Sequence, residues 1–152
     1  MIIRAYSIVF MSAFLTLTLG PHAALAATSS PAPAVDPCAV VAQADASQAV
    51  HGEAREATVH GTLAGKFCHY RSSDNKMNIF VQNVNPQIMK TLPALGAKAV
   101  PDVGDAAYLY RTSLYVQKGR NVVQINVYSN SLDGKVYTTE LTTLGKLAAS
   151  RM

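Results

Sequence analysis

The pattern of this 152-residue chain predicts an α+β fold, an antiparallel sheet of about five strands with helices packed on one face. Three observations carry that reading. Short strand-like segments come in runs, Lys66–Arg71 with Met77–Gln82, then Ala106–Arg111, Ser113–Lys118 and Asn121–Ser129, and neighbours joined by short turns pair antiparallel. Helical segments open, divide and close the domain, giving the order α-β-β-α-β-β-β-α. Apolar residues recur every second position in the strands and every third or fourth in the last helix, so each element has one face to bury.

The chain opens with what reads as a secretory signal peptide over residues 1–26. Arg4 supplies a positive start, Ile8–Leu19 is an uncharged apolar run of 12, Gly20-Pro21 breaks it, and Ala24-Leu25-Ala26 is a small-x-small cleavage site. A spanning helix needs about 20 apolar residues, so no membrane span is expected after cleavage. Residues 27–37, rich in Pro, Ala and Ser, read as a flexible tether. Residues 38–152 suffice for one core and make a single α+β domain.

Asp36-Pro37-Cys38 opens the first helix, with Asp36 as cap and Pro37 at a position where its missing N–H costs nothing. Ala39–Val50 continues it and Gly52 ends it. Glu53–Ala64 reads as a loop, or as a short strand around Ala57–His60. In the first hairpin Cys68 and Tyr70 share a face opposite His69, and Met77, Ile79 and Val81 point inward from the returning strand. Asn85-Pro86 opens a second helix carrying Ile88, Met89, Leu92 and Leu95 on one face, with a break expected at Pro93 and an end at Gly96. Val100–Asp105 is a turn-rich connector. Gly119-Arg120 makes a two-residue hairpin turn. Val123, Ile125 and Val127 form one face of the last strand, and Leu114 and Val116 do so on its partner. Asp133-Gly134 starts the final helix, roughly Lys135–Ser150, where Tyr137, Leu141, Leu144 and Ala148 keep helical spacing.

Charge narrows the partners. Of 13 Lys and Arg only Arg4 lies in the leader, so against 9 Asp and Glu the mature chain carries a net charge of +3. The basic residues are scattered and form no stripe, which excludes a nucleic-acid footprint. Cys38 and Cys68 are the only cysteines. Export puts this even count in an oxidising compartment, periplasmic or extracellular, and the two are expected to pair.

At Asp36-Pro37-Cys38, Cys68-His69-Tyr70 and Val100–Tyr108 the chain resembles small exported domains of unknown function, many of them actinobacterial lipoproteins. That group shows a D-P-C start before a helix, a C-x-Y strand, and a G-D-x-A-[YF] turn leading into a hairpin with a central K-G, here Lys118-Gly119. The resemblance spans about Asp36–Ala149. It implies a disulfide-containing α+β fold of PsbP-like type and supplies no catalytic residues. Unlike those lipoproteins, this chain has no lipobox cysteine.

The sequence offers little catalytic chemistry. No G-x-S-x-G setting or Gly-rich phosphate loop appears, and the acids look like caps and turn residues. The chain is therefore read as a non-enzyme without a cofactor. His51, His60 and His69 are spaced nine apart and could hold a metal only if folding brought them together, which would make the protein a metal carrier or hydrolase. Solvated surface histidines are the simpler reading. The better lead is aromatic. Tyr108, Tyr110, Tyr115 and Tyr128 gather on the three-strand segment, and Tyr115, Gln117, Gln124, Asn126 and Tyr128 are out of phase with the apolar face. If no helix covers them they form an exposed binding face for an envelope protein or a small ligand. A purely structural envelope role is the remaining alternative.

Overall fold

The computed structural model describes residues 35–62, 65–130 and 137–152. The segment read as a signal peptide, most of the segment read as a tether and the expected Asp133-Gly134 helix start lie outside the described residues. Seven strands form one antiparallel sheet: β1 Ala54–Thr62, β2 Gly65–Ser72, β3 Met77–Asn83, β4 Lys98–Ala99, β5 Ala106–Tyr110, β6 Ser113–Lys118 and β7 Asn121–Ser129, in spatial order β1-β2-β3-β7-β6-β5-β4. Four helices accompany them: α1 Pro37–Val40, α2 Gln43–Ala49, α3 Ile88–Thr91 and α4 Thr138–Arg151. The α+β class is as predicted, with seven strands in place of five. The added strands are β4, two residues long and too short to show a period, and the full β1. A register shift between Arg55 and Thr58 interrupts the alternation that would have marked β1.

One sheet face carries the core. Cys68, Tyr70, Ile79, Val81, Leu114, Val116, Val123, Ile125 and Val127 are buried there, and α4 sets Leu141, Leu144 and Ala148 against them. Gly145 lets α4 lie close, since a Cβ at that position would come within 2.5 Å of Leu114 Cδ2 and 3.1 Å of Val103 Cγ1. A disulfide joins Cys38 to Cys68 with Cα atoms 5.2 Å apart, and so ties α1 to β2. Val35, inside the segment read as tether, already packs on this core, and its carbonyl accepts from Asn83 Nδ2 at 2.6 Å.

The single helix expected over Ala39–Val50 is broken at Val41-Ala42. Asp45 accepts from the Ala42 N–H at 2.8 Å and starts a new helix there. The Val41 carbonyl, left without an intrahelical donor, accepts from the Tyr70 hydroxyl, and burial pushes that phenol up to about 12. Arg151, at the end of α4, grips both halves of the break. It donates to the Val40 carbonyl at 3.2 Å and forks onto Asp45, with Nη2 3.1 Å from Oδ1. The Arg151 guanidinium holds the Asp45 carboxyl below its ordinary 3.8, although burial opposes it. For such a depressed carboxylate the stabilisation is full above the unfolded value and is lost as pH falls through the folded one. Asp45→Asn should therefore be less stable than wild type near neutrality. The gap should close below pH 3.8, as read from urea unfolding between about pH 7 and about pH 2.

The connector before β5 is a clamp. Gly104 has φ +62°, and a Cβ there would lie 2.4 Å from the Gln117 carbonyl oxygen. The Asp105 N–H donates to that same oxygen at 2.8 Å. The Asp105 carboxylate accepts from Lys118 Nζ at 2.8 Å and from the Gly119 N–H at 2.7 Å. Lys118 first, then Gly119, hold the carboxyl below the usual range. Gly104-Asp105 and Lys118-Gly119, two motifs distant in sequence, are thus halves of one turn-to-hairpin lock.

Candidate binding site

The other sheet face is divided. At one end α3 and the 3-10 turn Pro93–Leu95 lie over it, the helix breaking at Pro93 as expected and ending at Gly96 with φ +80°. Met89 and Leu92 are buried with Val122, and Ala106, Tyr108, Tyr110 and Tyr115 pack against them. So not every helical segment sits on one face: this short one carries its own apolar residues and buries them on the outward side of β5, β6 and β7.

Beyond α3 the register lays out three cross-strand rows. Phe67, Gln82, Gln124 and Tyr115 form the first; His69, Phe80, Asn126 and Ser113 the second; Arg55, Arg71, Asn78 and Tyr128 the third. Between the first two rows, over β3 and β7, lies a trough of about 210 Å³ lined by Phe80, Gln82, Gln124 and Asn126. Its floor is a directed chain of amides. Gln82 Nε2 donates to Gln124 Oε1 at 2.8 Å, and Gln124 Nε2 donates to Ser113 Oγ at 2.9 Å. Its one aromatic lining residue, Phe80, stands in a stack, with His69 to Phe80 at 4.1 Å and 9° between planes, and Phe80 to Tyr128 at 5.6 Å and 7°. The stack is anchored from behind, His69 Nε2 lying 3.0 Å from Asn78 Oδ1, while Asn78 Nδ2 donates to Asn130 Oδ1 at 2.9 Å.

One group in this site is unsatisfied. Asn126 Oδ1 is shielded from solvent and has no hydrogen-bond partner among the described residues. Leaving a buried acceptor unpaired costs about 1–3 kcal/mol. Rotation of the amide about χ2 exchanges Oδ1 with Nδ2, so it can meet either a donor or an acceptor.

Of the five residues read as one face, the structure brings Gln124 and Asn126 into the trough and stacks Tyr128 on Phe80 outside its lining. Gln117 is directed away, Nε2 donating to the Gly119 carbonyl at 3.2 Å. Tyr115 packs against the α3 cluster, and burial pushes its phenol up. Truncating Tyr115 would therefore cost core packing as well as surface. Phe80 and Gln82 were not among the five. Their signal was present, since the inward alternation of Met77, Ile79 and Val81 turns Asn78, Phe80 and Gln82 outward.

The three histidines are not gathered. His51 lies beside α4 with Nε2 3.4 Å from Glu140 Oε1, on the helical side of the sheet. His69 stands in the aromatic stack on the opposite side, and His60 is paired with Phe67 along the backbone. Among the described residues no group of three His, Cys, Asp or Glu could hold a metal. Nor is any described helix long and apolar enough to cross a membrane. No protein-family model, curated protein or solved structure matches the chain, so its resemblance to exported lipoprotein domains rests on the short motifs alone.

Proposed function

We propose that this protein is an exported, non-enzymatic module that holds a ligand in the Phe80–Gln82–Gln124–Asn126 trough on the outer face of its sheet. The observation that carries the reading is Asn126, which lines the trough and whose Oδ1 is buried without a hydrogen-bond partner among the described residues. The lining side chains are one phenyl and three carboxamides, which bind and orient but do not exchange protons near neutral pH. The Cys38–Cys68 bond is compatible with an oxidising compartment, and the D-P-C and C-x-Y motifs resemble those of envelope domains. Together they support placement in the periplasm or outside the cell.

Native mass spectrometry of the unreduced protein from its exported fraction tests this. Wild type is expected to carry an added mass that Asn126→Leu does not, both retaining the disulfide. An added mass that survives in Asn126→Leu, or none in wild type, contradicts the reading.

A further inference from the structure

Next to the trough the same face carries two arginines. Arg55 and Arg71 lie directly opposite each other across β1 and β2, both exposed. Among the described residues neither has an acidic partner within ion-pairing distance. Among the described residues Arg55 Nη2 donates to the Ser73 carbonyl, at 3.3 Å. Like charges facing across strands repel. Arg71 is one strand over from β3 and in the next row, about 10 Å from the trough by strand spacing and rise. Asn78 and the His69–Phe80 stack lie between them.

We infer that the ligand is an acidic saccharide, one sugar ring seated in the trough and a carboxylate or phosphate held by Arg55 and Arg71. The inference rests on the trough reading and adds the ligand's class. A hydroxyl both donates and accepts, so it satisfies Asn126 in either amide orientation and can join the Gln82–Gln124–Ser113 chain. The uncharged lining suits a neutral ring. Paired guanidiniums present forks that match a carboxylate or phosphate. A short oligosaccharide spans both places, and the trough, open at the surface, admits a chain.

The test is binding of the full exported protein, unreduced, to an array of glycans bearing uronic acids, bearing phosphodiesters, or uncharged. Retained glycans should be acidic. The Arg55→Gln/Arg71→Gln variant should weaken them by about tenfold or more without changing weak binding of neutral glycans, and Asn126→Leu should abolish both. Neutral glycans bound as tightly as acidic ones, or acidic binding indifferent to the arginine variant, would overturn the inference and leave the trough reading intact. So would an array with no retained glycan while an Asn126-dependent mass is still found on the native protein. No retained glycan and no such mass would remove both.

Discussion

Replacing Cys38 and Cys68 together by Ser should lower the unfolding free energy by about 3–4 kcal/mol, from the chain entropy a crosslink of this span removes from the unfolded state. The loop it closes spans 30 residues and contains α2, β1 and the turn between them. Domains of this size are stable by only about 5–15 kcal/mol, so the loss should be visible as a large drop in urea midpoint. Wild type in reductant should behave as the double variant does. The loss should fall on the α1 region first, because α1 is a single turn held otherwise by the burial of Val40 and Val41 and by the Tyr70 hydroxyl on the Val41 carbonyl and Arg151 on the Val40 carbonyl. A change below about 1 kcal/mol would mean that those contacts and the core of α4 already fix α1.

Gly104→Ala should be the most damaging single methyl addition in the turn regions, at about 2–4 kcal/mol. Two effects add. The backbone at φ +62° disfavours any side chain, and the new Cβ would sit 2.4 Å from the Gln117 carbonyl oxygen, which is backbone and cannot swing aside. Moving it also breaks the Asp105 N–H bond to the same oxygen. Gly119→Ala is the control. Its φ is +57°, but nothing lies within 4 Å of the added atom, so only the conformational cost of about 1 kcal/mol remains. Equal losses in the two variants would show that the steric contact at Gly104 contributes nothing.

The parts of the fold legible in the sequence are those where burial imposes a period. Val123, Ile125 and Val127 against Leu114 and Val116 marked β7 and β6 with their core face, and Leu141, Leu144 and Ala148 marked α4. The break in the first helix was not legible, because Asp45 reads as an ordinary helical residue until Arg151, far along the chain, is seen to hold it. Asp105 was read as a turn residue for the same reason: its partners Lys118 and Gly119 lie across a hairpin. In the binding site, Gln124 and Asn126 could be assigned to the outward face by phase alone. Phase does not say which outward residues a short helix will cover. Met89 and Leu92 of α3 and its end cover the part holding Tyr115, which leaves the trough shifted toward β3, Phe80 and Gln82.

On the proposed function, Asn126 is kept for binding at the expense of the fold. The most direct measurement is the melting temperature of Asn126→Leu beside wild type, both stripped of bound molecules by unfolding and refolding with the disulfide intact. The account predicts that the variant melts higher, by the few degrees that relief of about 1–2 kcal/mol produces. A variant that melts lower would show that Asn126 is a structural residue and would contradict the claim.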